Sequence, residues 1–443
     1  MATRRRLAAL ILVLSVVLSG CAADSAAFQT TADENDTNTT TETTVATTTT
    51  EVNVTEKYSV PVEGDDLPVD ADRTFARVQA LVGTNVEPQS VTVREGTARS
   101  NTADYYTSRS FFRIMGLDET NYSTKGASGV TYRDGEVRLT TREASDAEVE
   151  RVLAHEFIHT VQMRSGMTES LNRESAVSRS TDASLVRQAL VEGGAVYVTD
   201  SYSERFQSPT VHQSDVVAEE YESGPAGNRY LWAPYHFGYR YVAATVDSPN
   251  ELDTAYENHP ETTEQLIHNY GPAEEPALDL ELSTDDSGSW FRTDADTKGE
   301  LVTRIVLRSQ LSRARAAAAA SGWGNDRLYV YEHSSGRTTG LAWALRWDDA
   351  DEADEAQAAF RSYAAKHGDD SEASVQVERV TRETLVVFAG DDEFVDNAYA
   401  AGSDDEVEVA IDNRTTAGAD VAFPAVPAPN DGGGTTTGVY SSP

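Results

Sequence analysis

The chain has 443 residues, 39% of them hydrophobic, enough to bury a sizeable core in one large or two smaller domains. It carries 36 Lys and Arg against 73 Asp and Glu, a formal charge of −37, which excludes a nucleic-acid binder because a polyanion would be repelled. The single cysteine excludes an intrachain disulfide in any compartment.

Arg4, Arg5 and Arg6 precede an apolar run from Leu7 to Leu18. That run is too short for a hydrocarbon core of about 30 Å but suits the centre of a signal peptide. Leu18-Ser19-Gly20-Cys21 resembles a lipobox, so residues 1–21 are expected to be a lipoprotein signal with Cys21 as the lipid-attachment site. Export by the twin-arginine or the general secretory route would tether the protein to the outer face of the cell membrane. An uncleaved anchor helix is the alternative and leaves it on the same face. Residues 22–57 are Thr-rich with almost no large apolar side chain, and are expected to form a disordered stalk.

A folded body is expected over residues 58–285. Thr74 to Val82 has helical spacing, Ser108 to Met115 reads as a short helix, and Gly129 to Leu139 reads as a hairpin around Arg133-Asp134-Gly135. The next stretch, Ser145 to Gly166, carries chemistry. Ser145 and Glu148 have the spacing of a capping box, and Val149, Val152, Leu153, Phe157 and Val161 give a helical apolar pattern. His155 and His159 then share one helix face and can reach one metal ion. Glu156 projects roughly 100° round from His155, which suits a carboxylate acting on a metal-bound water. The bland alternative is two satisfied helix histidines flanking a solvated Glu.

A third ligand has to come from elsewhere. Asp182 can cap a second helix whose apolar side holds Leu185, Val186, Ala189, Leu190 and Val196, and Glu192 falls within that run. A buried lone acid is destabilising unless paired, and a divalent cation is an effective partner. Gly193 and Gly194 each cost the helix about 1 kcal/mol relative to Ala, which makes sense if the His helix approaches closely there. Otherwise the helix ends at the two glycines and Glu192 is solvated. Thr168 to Arg179 reads as a loop, and Asp200 to Asn228 is acidic and weakly patterned.

Tyr230 to Ala244 is dense in aromatics, mostly for packing, but Tyr235 and His236 bring groups able to stabilise an oxyanion. His268 is a further polar group without an obvious structural duty. Residues 286–416 read as a C-terminal α+β region without clustered metal ligands: a long helix over 301–320, strands over 328–331 and 340–347, a helix over 353–365, and strands over 375–380 and 384–388. Residues 417–443 turn to Pro, Gly and Thr and are expected to be disordered.

Four ordered blocks carry a family resemblance. HEFIHTVQ (His155–Gln162) is similar to the HExxHxxQ signature of secreted and membrane-anchored zincin-like proteins, and ALVEGGA (Ala189–Ala195) to their ALVEGDA. PYHFGYRYV (Pro234–Val242) is similar to PYxxGxxFV, and PETTEQLIHNY (Pro260–Tyr270) to PxSTEQxxHxxxY. Among archaeal versions the chain resembles the Hvo-type family of haloarchaeal surface proteins, with which its acidic, hydration-holding composition agrees.

The resemblance implies an α+β fold with a zincin-like metallopeptidase core, Zn2+ on His155, His159 and Glu192 in gluzincin fashion, and Glu156 as catalytic base. The chain departs from the pattern at Gly194, where the relatives usually have Asp. The expectation is a membrane-anchored extracellular zinc metallopeptidase acting on a protein or peptide substrate, with Tyr235, His236 or His268 on the oxyanion. Its rivals are an inactive zincin-fold surface protein serving as a binding or cell-envelope module, and a zinc hydrolase of a non-peptide bond.

Overall fold

The computed structural model describes residues 57–95, 106–121, 126–171, 180–284, 288–336, 338–371 and 373–411. The expected signal segment with Cys21, the Thr-rich stretch up to residue 56, most of the 168–179 loop and the tail from residue 417 lie outside the described residues. Among the described residues no helix is long and apolar enough to cross a membrane.

The fold is α+β. Its N-terminal part sets a small sheet against a group of helices. Strands β1 (Val62–Gly64), β2 (Val91–Arg94), β3 (Ser128–Thr131) and β4 (Val137–Thr140) lie in the order β1-β2-β4-β3, with β3 antiparallel to β4 and on the edge. The β3–β4 hairpin forms as its alternation predicts. Helix α1 (Ala71–Val82) starts at Asp70, whose carboxylate accepts from Arg73 N, and stops at Gly83, where φ is 75°. After the short α2 (Ser110–Ile114) comes α3 (Asp146–Arg164), packed on α1 through an edge-to-face contact of Phe75 with Phe157 at 5.1 Å. Ser145 caps α3, accepting from Glu148 N at 3.3 Å. The other half of the expected capping box is absent: the Glu148 carboxylate accepts from Ala127 N at 3.0 Å and ties the helix to the start of β3.

Helix α4 (Thr181–Phe206) departs from expectation in three ways. Ser180 caps it, accepting from Ala183 N at 3.1 Å, while Asp182 turns inward to accept from Thr263 N at 3.0 Å and Thr263 Oγ1 at 2.5 Å. The two glycines do not end the helix. The stretch from Asp200 to Asn228 is mostly helical: the end of α4, then α5 (Gln213–Ser223), then the first turn of α6 (Ala226–Thr245). The close approach at Gly193 is to α6 rather than to the His helix. A Cβ on Gly193 would stand 2.0 Å from Gly238 C, and one on Gly238 would stand 1.8 Å from Ala189 O, so the two backbones touch.

Helices α7 (Leu252–Glu257) and α8 (Thr263–His268) lead to β5 (Glu281–Thr284) and β6 (Trp290–Asp296). The helix expected over 301–320 is two, α9 (Gly299–Gln310) and α10 (Arg313–Ala320), because Ser312 caps a new start by accepting from Arg315 N at 3.4 Å. Strands β7 (Trp323–His333), β8 (Thr339–Trp347), β9 (Ser374–Arg379) and β10 (Thr384–Gly390) join β6 in an antiparallel sheet of order β6-β7-β8-β10-β9. Alternation along these strands divides the burial. One face meets α11 (Ala350–Asp370), and the other packs on α12 (Asp392–Asn397) and on a three-stranded sheet of β11 (Ala398–Gly402), β12 (Glu406–Ile411) and β5.

One apolar core runs across the boundary expected at 285/286. Phe111 meets Trp343 at 5.7 Å, the Tyr363 hydroxyl donates to Met115 O at 3.0 Å, and His367 Nε2 donates to Ile114 O at 2.7 Å.

Candidate metal centre

Helix α3 places His155 and His159 one turn apart, and α4, lying beside it, brings in Glu192. His155 Nε2 and His159 Nε2 stand 3.1 Å apart, and Glu192 Oε2 is 3.4 Å from the first and 3.1 Å from the second. Among the described residues these three are the group of ligand-type side chains whose donor atoms meet, all within 4.8 Å. A tetrahedral ion with ligands at about 2.0–2.1 Å sets those ligands about 3.3 Å from one another. The three observed separations match that edge length.

The outward nitrogens decide what the inward ones can do. His159 Nδ1 donates to Gln162 Oε1 at 2.7 Å. The amide orientation of Gln162 is fixed at its other end, since its Nε2 donates to Val191 O and to the Tyr256 hydroxyl, both at 2.8 Å. His155 Nδ1 likewise donates to Gln213 Oε1 at 3.0 Å. With the hydrogens on Nδ1, both Nε2 atoms turn lone pairs toward each other in a buried site, an arrangement that is repulsive until a proton or cation lies between them. The titration of the ligands reflects the same shortage of positive charge. Burial opposes a charged His159, but the Glu192 carboxylate outweighs it and holds His159 above its ordinary range. Burial pushes Glu192 up, and the two imidazoles more than reverse that. Burial holds His155 below its ordinary value.

Glu156 lies between α3 and strand β3. Thr131 Oγ1 donates to its Oε2 at 2.7 Å, and the β3 backbone approaches so closely that a Cβ on Gly129 would be 2.4 Å from Glu156 Cγ. Burial raises the Glu156 pKa to about 7, against the pull of His159 and the Thr131 hydroxyl. Its Oε1 is buried without a hydrogen-bond partner among the described residues. The ring of Tyr235 stacks at 6.4 Å on that of His155, and the pKa of its buried hydroxyl is raised by burial, by the charges of Glu192 and Glu156 and by interaction of the hydroxyl with the Glu192 carboxylate. An orphaned carboxylate oxygen of Glu156 and the phenol of Tyr235 therefore both lie within electrostatic reach of the ligand side chains.

Two expected members are elsewhere. His236, one residue on from Tyr235 and about 100° round the helix, stacks on Tyr221 at 4.7 Å on the opposite side of α6. His268 Nε2 pairs with Glu300 at 3.0 Å, and its ring stacks on Tyr270. Neither joins the triad. Gln162, Gln213, Tyr256 and Thr131 are functional contacts that reading the sequence did not find. Only Gln162 left a trace, at the end of the HExxHxxQ block. Gly194 has a local reason: a Cβ there would be 2.2 Å from the Tyr256 hydroxyl, which occupies the space an Asp would need.

His155, Glu156, His159, Glu192 and Tyr235 are each at most 2% exposed. A groove of about 440 Å3 lies at the far end of α3, lined by Ser165, Met167 and Asp253 among others, and does not reach the triad.

A family model described as a domain of unknown function, DUF8575, matches residues 289–422. The match covers the large antiparallel sheet and its partners and leaves all three ligand residues outside it. No curated protein and no solved structure matches the chain.

Proposed function

We propose that the chain is a zinc metallopeptidase of gluzincin type, tethered outside the cell membrane through lipidated Cys21 and acting on protein or peptide substrates. The observation that carries this reading is the convergence of His155, His159 and Glu192 on one point at tetrahedral spacing, with three protein donors among the described residues rather than the four of a structural site. The resemblance of the four sequence blocks to zincin-like proteins agrees with it. Zinc in this place would lower the pKa of a water toward about 7 and polarise a substrate carbonyl.

The chain's own side chains have matching tasks. Glu156 takes a proton on Oε1 and returns it to the leaving amine, a role suited to a carboxyl whose pKa burial has moved to about 7. Thr131 holds the other carboxylate oxygen, which leaves Oε1 as the oxygen without a partner among the described residues. Tyr235, protonated at any working pH, donates its hydrogen to the oxyanion. Gln162 and Gln213 keep both imidazoles turned with Nε2 inward.

Glu156→Gln tests the assignment: the variant should retain zinc while hydrolysis of a fluorogenic peptide library falls to background. Full activity in that variant would remove Glu156 as base. A second reading, a non-catalytic surface module that uses the metal for rigidity, draws on the burial of all three ligands. Zinc-loaded wild-type protein that cleaves no peptide, yet unfolds on chelation, would favour it.

A further inference from the structure

On the side of α6 turned away from Tyr235, a cavity of about 30 Å3 is lined by Tyr221, Phe237, Arg240, Arg304, Arg308 and Arg313. Four guanidinium groups from three helices meet there, in a chain with twice as many acidic as basic residues. Their partners are too few. Arg308 Nη2 and Arg313 Nη1 share the one carboxylate of Glu222, each at 2.7 Å. Arg304 Nη2 pairs at 2.5 Å with Glu300, which also serves His268. Arg240 forms no ion pair among the described residues.

Four positive charges against two carboxylates leave a surplus of two. The Arg308 side chain is only 8% exposed and interacts with the Tyr221 hydroxyl, yet among the described residues its Nη1 has no hydrogen-bond partner, and neither has the buried Nε of Arg304. Buried donors of this kind are costly unless something accepts from them. The surplus acts on His236 beside the cluster, whose pKa is lowered to about 4 by burial and then by Arg240, Arg313 and Arg308.

As it stands the cavity has room for about one water, but Arg240 and Arg313 are exposed and free to swing outward; we propose that, opened in this way, the cluster binds a doubly charged tetrahedral oxyanion, a phosphate or sulfate group either free or at the head of a larger ligand. The charge surplus of two matches a dianion. Arginines carried on three different helices suit a tetrahedral acceptor better than a planar carboxylate, which takes two parallel bonds in one plane. The aromatic rings of Tyr221 and Phe237 form the rest of the wall, with Arg308 over the first at 5.1 Å and Arg304 over the second at 5.9 Å, so the guanidinium planes are held before anything binds. The inference uses none of the metal ligands and stands independently of the peptidase reading.

The test uses the full chain in concentrated potassium chloride, titrated with inorganic phosphate, sulfate, acetate and further chloride, with equilibrium dialysis and the thermal midpoint as readouts. Phosphate and sulfate should bind saturably, compete with each other and raise the midpoint. Arg240→Gln, an exposed position whose loss spares the fold, should weaken both by about tenfold to a hundredfold and leave zinc content unchanged. Absence of saturable phosphate binding, wild-type affinity in Arg240→Gln, or equal binding of acetate would each overturn the assignment.

Discussion

Gln162→Leu isolates the part of the centre that holds an imidazole without touching the metal. The side chain keeps its approximate volume and loses three polar contacts: the acceptor for His159 Nδ1 at 2.7 Å, and the donors to Val191 O and Tyr256, both at 2.8 Å. Loss of the partner that orients a metal-bound imidazole costs about 10- to 100-fold in metal affinity, or about 1.4 to 2.7 kcal/mol. The same change leaves the buried ring N–H of His159 without its acceptor and the buried Tyr256 hydroxyl without its donor, each costing about 1–3 kcal/mol, so the metal-free protein should be less stable by roughly 2–6 kcal/mol.

The two effects separate in Gln162→Glu. That variant restores an acceptor for His159 but turns a carboxylate oxygen toward the Val191 carbonyl, so it should recover zinc affinity while staying unstable. Zinc competition against a chromogenic chelator gives the first quantity, and the denaturation midpoint of chelated protein gives the second. Superimposable competition curves for wild type and Gln162→Leu would refute the reasoning, because the imidazole would then be held by something other than Gln162.

Three further outcomes follow from the same structure. Gly193→Ala must part α4 from α6, since its Cβ would lie 2.0 Å from Gly238 C; overpacking of this kind costs about 1–3 kcal/mol, read as a lower denaturation midpoint with unchanged slope. Tyr235→Phe should lower kcat by about 10²- to 10³-fold with zinc content and KM little changed; unaltered kcat would remove Tyr235 from the oxyanion. Burial, then the charges of Glu300 and Asp348, raises Glu264 to about 9. The folded chain therefore keeps a proton that the unfolded chain gives up near 4.5, and stability falls as pH climbs from about 4.5 to about 9. Glu264→Gln should flatten that fall in thermal midpoint, and parallel wild-type and variant profiles would show that Glu264 is not its source.

The candidate metal-binding group was legible in the sequence where a single helix sets the spacing. His155, Glu156 and His159 need only α3, and Ser145 with the apolar period fixes α3. Glu192 was legible for a different reason, as an acid inside an apolar run. What failed was anything requiring knowledge of a neighbour. Asp182 looks like a cap from its position, but Thr263, 81 residues away, offers it two donors and leaves the cap to Ser180. Across Asp200 to Asn228 the start of α5 is set by a residue on another helix: Asp200 of α4 accepts from Gln213 N at 2.6 Å. Gln213 thereby reaches His155, which no local pattern could announce. His236 and His268 were chosen for their chemistry alone. His236 shares a helix but not a face with Tyr235, and the partner of His268 lies on α9.

The backbone contact of Gly193 with Gly238 also limits how the centre can move. Glu192 is the neighbour of one glycine, and Tyr235 sits one turn before the other. With no side chain between them to slide or flex, α4 and α6 can only shift together, and the acid and the phenol keep their spacing through any such motion. Strand β3 makes a contrasting contact: it lies on the edge of its sheet, against Glu156 through Gly129, and holds the carboxylate by one threonine hydroxyl.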